Sequence, residues 1–210
     1  MDMPDADLDQ DAWQASLMRV AKLICDRGEY LCIILKVRAS GVKLRLFNDL
    51  KLDGEMLLEA GIGQTLRVSF LHADASGVTF TCEEAIDVAQ FVAEPSVSRK
   101  RPVRVCLRHP ASVVFRKREF SAEIVNLSCR GICIETSASF YVGERTRLSA
   151  RLLPDFDATV RWKIGNRCGL EFDNALSLAV FADRTSAIQI LAHANAQAVG
   201  DNDEVQEYTF

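Results

Sequence analysis

A mainly β protein, built as two small antiparallel barrels in tandem with short helices at their ends, is what this sequence predicts. Three observations carry the expectation. The chain repeats itself at an interval near 90 residues, each copy is a series of short alternating apolar runs broken by Gly, Asp or Asn, and each copy closes on an amphipathic stretch. Such an interval is too long for a solenoid unit and suits a duplicated small domain.

The repeat is clearest where "EYLCIILKVRASGVKLRL", from Glu29, lies on "EFSAEIVNLSCRGICIET", from Glu119. Glu29 meets Glu119, Tyr30 meets Phe120 and Gly41 meets Gly131, all at a shift of 90. Ahead of these runs, "KLIC" before the Asp26-Arg27-Gly28 turn matches "SVVF" before Arg116 to Arg118. Beyond them "DGEM" meets "VGER", Phe70 meets Trp162, and "GVTF" at Gly77 to Phe80 meets "GLEF" at Gly169 to Phe172, where the shift reads as 92.

The helices follow from composition and spacing. Ala12 to Met18, with Trp13 and Leu17 one turn apart, reads as an N-terminal helix. "EEAIDVAQFVAE" closes the first copy as a short amphipathic helix, and Pro95, Ser96 and Ser98 mark a linker. The predicted domains are therefore residues 1–96 and 97–210. From Asn174 to about Ala198, the spacing of Val180, Phe181, Ala187, Ile188, Leu191 and Ala194 predicts a longer closing helix with one apolar face.

Composition narrows the function classes. With 49% apolar and 26% charged residues in 210, the chain is an ordinary globular one, and no apolar run is long enough to cross a bilayer. Asp2, Asp5, Asp7, Asp9 and Asp11 open the chain where a secretory signal carries basic residues, so a cytoplasmic protein without membrane insertion is expected. Seven scattered cysteines suit reduced thiols acting as small core hydrophobes. Cys129 and Cys133 have no second pair to complete a zinc site, so no metal is expected. His72, His109 and His193 stand apart, and no nucleophile, base and acid set can be placed together. An enzyme is not expected, nor a resident cofactor.

Charge is more informative. The formal charge is −4, yet Arg99, Lys100, Arg101, Arg104, Arg108, Arg116, Lys117 and Arg118 follow Ser98 with no acid among them. Arg116 to Arg118 are assigned to a solvated hairpin turn. The remainder points to an anionic ligand met at one place. Some twenty residues on, "NLSCRG" puts Asn126 and Ser128 on one strand face, while Gly131 leaves the approach clear of a side chain. A cationic arm folded over this polar shelf suits an anion with a flat, hydrogen-bonding face, because guanidinium pairs with phosphate and stacks on planar rings.

These residues resemble the PilZ domain, a bacterial receptor module for cyclic di-GMP, over roughly Ser98 to Ala182. The family pattern is Arg-x-x-x-Arg on an N-terminal arm followed by Asp/Asn-x-Ser-x-x-Gly on a barrel. Asn126, Ser128 and Gly131 meet its second part in full. In the first part the final arginine is Arg104, with Lys100 four residues before it and Arg99 and Arg101 alongside. A literal Arg-x-x-x-Arg, Arg104 to Arg108, is set aside because Arg108 belongs on the first strand. The resemblance implies that Arg99, Lys100, Arg101 and Arg104 grip phosphates and guanine edges while Asn126 and Ser128 contact a guanine or phosphate. Lys100 is a departure, a point charge where the pattern has a planar fork.

The first copy has Lys36 and Arg38 for Asn126 and Ser128, and Asp9, Gln10 and Gln14 for Arg99, Lys100 and Arg104. It reads as a degenerate PilZ-like barrel kept for packing, homodimer formation or partner contact. The expected function is a cyclic di-GMP receptor in which the nucleotide changes the arm and the inter-domain arrangement and so signals to a protein partner. The alternative is a divergent interaction adaptor without nucleotide binding. Nucleic-acid binding is disfavoured, since the arm has no aromatic residue to stack on bases. The acidic tail, with Asp201, Asp203, Glu204 and Glu207, reads as solvated.

Overall fold

A computed structural model describes residues 12–60, 65–93 and 102–204, with side chains placed up to residue 195. The chain forms two units, Met1–Val103 and Arg104–Phe210. The first contains β1 (Ala15–Cys25), β2 (Gly28–Arg38), β3 (Gly41–Leu46), β4 (Met56–Glu59), β5 (Thr65–Asp74), β6 (Gly77–Cys82) and α1 (Val88–Val92). The second contains β7 (Arg104–Phe115), β8 (Arg118–Ser128), β9 (Gly131–Thr136), β10 (Arg145–Ser149), β11 (Phe156–Ile164), β12 (Arg167–Phe172) and α2 (Leu178–Glu204). Each unit is a closed six-stranded barrel, in the order β1-β2-β3-β6-β5-β4 in the first and β10-β11-β12-β9-β8-β7 in the second. All strand pairs are antiparallel. Closure leaves no sheet edge to template aggregation.

Alternation builds both interiors. Leu23, Ile34, Leu44, Met56, Leu58 and Phe80 fill the first barrel, and Ile124, Leu127, Ile134 and Leu148 are fully buried in the second. Phe91 of α1 joins the first core, and Phe181 of α2 is likewise buried. The β7–β8 hairpin turns on Arg116 and Lys117, both left-handed at φ 49° and 63°, the backbone that matches the twist of a two-residue hairpin. This places the basic Arg116–Arg118 stretch at a hairpin end, with Arg116 paired to Glu144 at 2.5 Å.

Two expectations are corrected. The residues read as an N-terminal helix open β1 instead: Ala15 already pairs with Val37, and Ser16 with Lys36. Ala, Leu and Met favour helix in isolation, but nine residues paired with β2 outweigh so weak a preference.

The repeat also does not drift to 92. It holds at 90 through the last hairpin, where Phe70 pairs with Phe80 as Val160 pairs with Leu170, a bulge follows in each, and His72 faces Thr79 as Trp162 faces Gly169. Trp162 thus answers to His72, and Phe70 to Val160. Single hydrogen bonds keep the same offset. Ile86 N donates to Ala39 O and Leu176 N to Cys129 O, both at 2.8 Å, while Cys82 N donates to Ser40 O and Phe172 N to Arg130 O.

Both helices are capped at equivalent residues, Asp87 accepting from Gln90 N at 3.0 Å and Ser177 from Val180 N at 3.2 Å. The last helix begins at Leu178, later than Asn174, and continues past Ala198 to Glu204. No described helix is long and apolar enough to cross a membrane.

Candidate functional site

Residues directly opposite each other in a ladder share a face. Arg104 lies opposite Ser128, Ser128 opposite Gly131, Gly131 opposite Glu171 and Glu171 opposite Thr159. One step along runs a second row, Cys106, Asn126, Cys133, Gly169 and Trp162. The residues between the rows, Val105, Leu127, Ile132 and Leu170, are buried, so both rows lie on the outer face of the second barrel. Four of the expected site residues are therefore brought together: Arg104, Asn126, Ser128 and Gly131. Arg99, Lys100 and Arg101 lie outside the described residues.

Arg104 stands in a different element from the one expected. It is the first residue of β7, not part of an arm ahead of the barrel; register with Ser128 sets its backbone beside the shelf, and its side chain is exposed. Its charge is felt at Cys133, whose thiol is pushed up by burial against the opposing pull of Arg167, Arg104 and Arg108. Arg108, the other end of the literal Arg-x-x-x-Arg, is engaged elsewhere, with Glu123 at 2.6 Å and Glu135 at 3.2 Å. Glu135 is held below the ordinary carboxylate range mainly by its bond from Arg167, with Arg108 adding to it.

The motif residues divide by role. Ser128 is buried, its hydroxyl donating to Gly131 O at 3.0 Å and accepting from Arg130 N at 3.4 Å, a bond pattern that closes the β8–β9 turn. Gly131 is required by the approach of the neighbouring strand, because a Cβ there would sit 2.3 Å from Leu170 O. Gly41 of the first barrel is bound by the same constraint, 2.2 Å from Phe80 O. The glycine therefore serves the barrel in both copies. Asn126 and Arg104 are left to offer polar groups to a ligand: Asn126 is half-buried and Arg104 exposed.

Sequence reasoning missed Trp162, Arg161 and Glu171. The Trp162 ring occupies the space a side chain at Gly169 would take, with Nε1 2.1 Å from the place of the Cβ. It forms an aromatic end to the Asn126 row. The legible signal was a Trp facing a Gly at matched distances from the Gly165-Asn166 turn. Glu171 follows Gly131 in the other row and is ion-paired with Arg161 Nε.

The first barrel fills the equivalent face from within. Lys36 and Lys43 lie opposite each other, with Lys43 paired to Asp74 at 2.7 Å, and the Arg38 guanidinium sits 4.8 Å from the centre of the Trp13 ring. Gln14 stands at the position of Arg104, its backbone N–H bonded to Val37 O at 3.0 Å. Asp9 and Gln10 lie outside the described residues, as do the side chains of Asp201, Asp203, Glu204 and Glu207. Among the described residues no three His, Cys, Asp or Glu side chains gather as a metal site.

The two units share one six-stranded barrel design, and the second carries the polar shelf on its outer face. Residues 98–183, which take in the strands of the second barrel, match the PilZ domain family. Among curated proteins, none matches the chain. Three similar solved structures are the Borreliella burgdorferi PlzA protein in complex with c-di-GMP, the Bacillus subtilis inhibitor of motility MotI/DgrA, and Escherichia coli YcgR in complex with c-di-GMP. PlzA is 12% identical, with 80% of this chain and 87% of that one covered and a TM-score of 0.35. The corresponding values are 14%, 87%, 99% and 0.36 for MotI, and 14%, 90%, 88% and 0.33 for YcgR.

Proposed function

We propose that this protein is a non-enzymatic receptor for cyclic di-GMP, which its second barrel binds on the outer shelf of β7, β8 and β9. The observation that carries the reading is the register itself: Arg104 opposite Ser128, with Asn126 two residues along, where the basic segment enters the barrel. Arg104 supplies a planar fork to phosphate or to the O6/N7 edge of guanine. Arg99, Lys100 and Arg101 close over the ligand from the other side and neutralise its two phosphates. Ser128 shapes the shelf through its turn bonds, and Asn126 makes the direct contact. Ordering of the basic segment around the nucleotide is the change passed to a protein partner.

Calorimetric titration at fixed salt tests this. Wild type is expected to bind saturably, and Arg104→Ala and Asn126→Ala to bind about tenfold or more weakly, the cost of a lost hydrogen bond to a charged group. Lys36→Ala is expected to leave affinity unchanged. Equal loss in all three variants would mean unspecific charge attraction. No saturable binding by wild type would favour the adaptor reading, which two features support: Lys100 in place of an arginine, and a Ser128 hydroxyl already engaged within the turn.

A further inference from the structure

We infer that Glu171 is a guanine-reading residue, taking the Watson–Crick edge of a base that lies across Gly131. The inference rests on the receptor reading above and adds to it the residue that selects the base.

Gly131 is a bare, partly exposed position with Ser128 and Arg104 on one side of it and Glu171 on the other. Strands in a sheet lie about 4.8 Å apart, so Ser128 and Glu171, two strands apart, are separated by about 10 Å at their backbones. That interval accommodates a purine lying flat with one edge toward each side. The edges of guanine differ in kind: O6 and N7 accept, as an arginine requires, while N1–H and the 2-amino group donate side by side, as a carboxylate requires. Arg104 and Glu171 present those two complements in the same row.

A carboxylate facing a doubly anionic ligand needs its charge offset, and Arg161 provides this by its Nε bond to Glu171. Each carboxylate oxygen has two lone pairs, so with Arg161 Nε on Oε2 acceptor sites remain for both guanine donors. The first barrel, whose face is filled by Trp13 and the Lys43–Asp74 pair, lacks both members: at the same offset of 90, Thr81 stands for Glu171 and Leu71 for Arg161. Thr81 gives its hydroxyl to Ser69 O at 3.4 Å.

The test compares cyclic di-GMP with cyclic di-IMP, which keeps N1–H and lacks the 2-amino group. Wild type is expected to prefer cyclic di-GMP by about tenfold, the discrimination of one bidentate base contact. Glu171→Gln should bring the two affinities within about threefold of each other. Arg161→Ala should weaken both nucleotides together and keep their ratio. The ratio cancels the general gain in anion affinity that follows from removing a negative charge, and a purely structural role would leave it unmoved. A wild-type preference that persists in Glu171→Gln overturns the assignment while leaving the receptor reading intact. Failure of wild type to bind either nucleotide overturns the receptor reading, and this one with it.

Discussion

Gly131 shows, at the scale of one residue, how a motif position can answer to the fold as well as to a ligand. Its place in the pattern suggests clearance for a ligand, and the structure adds a neighbouring carbonyl where its side chain would be. Gly131→Ala is therefore expected to lower stability by about 1–3 kcal/mol, the usual cost of forcing a group into packed space. Gly41→Ala should do the same in a barrel that lacks the rest of the motif. Denaturant unfolding of both variants checks this, and a loss confined to Gly131→Ala would return the glycine to the ligand. Asp74 is a second residue whose role lies within the fold. The Lys43 ammonium, followed by the Ser76 hydroxyl and amide, holds its carboxyl far below the ordinary carboxylate range. A depressed carboxyl pKa stabilises the fold fully above the unfolded value of about 3.9, and that contribution drains away as pH falls below it toward the folded value. Between pH 5 and pH 3, wild type should accordingly lose more stability than Asp74→Asn.

Among the elements, the strands were more legible than their ends. Period-two alternation identified the barrel runs, and Asp26-Arg27-Gly28 and Arg116 to Arg118 marked the first hairpin of each copy. The start of β1 was not legible, because its partner β2 decides the conformation and a local window does not contain it. The offset of 92 failed for a different reason. A slip of two residues keeps every side chain on its own face, so the apolar pattern of β12 reads equally well at either value. The shared bulge before Trp162 and His72 distinguishes them, as do the matching hydrogen bonds that follow. The segment leading into β1 has a role of its own, since Trp13 covers Arg38 on the face that corresponds to the Arg104–Ser128 shelf of the second barrel. Trp13→Ala should lower first-barrel stability by about 0.5–2 kcal/mol, the range of a cation–π contact. Thermal unfolding measures this, and nucleotide affinity is expected not to change.

For the molecule as a whole, duplication has produced two barrels of one design with opposite surface chemistry. The second has an exposed Arg104 and a half-buried Asn126 on its shelf, with an aromatic ring and a neutralised carboxylate beyond Gly131. The first spends its cations on Asp74 and Trp13. Much of the shelf was readable, since spacing put Asn126, Ser128 and Gly131 together, while Arg104, expected on an arm, joins them as the first residue of β7. Trp162, Arg161 and Glu171 were not, because their membership depends on strands β11 and β12 folding back beside β9, a long-range pairing that no short motif encodes.

The offset of 90 shared by the paired strands means that every seat in one ladder has a numbered counterpart in the other. A pocket on such a scaffold is portable. Arg at 14, Asn at 36 and Ser at 38, with Gly41 already in place, would transplant the core of the second shelf onto the first without a single insertion or deletion.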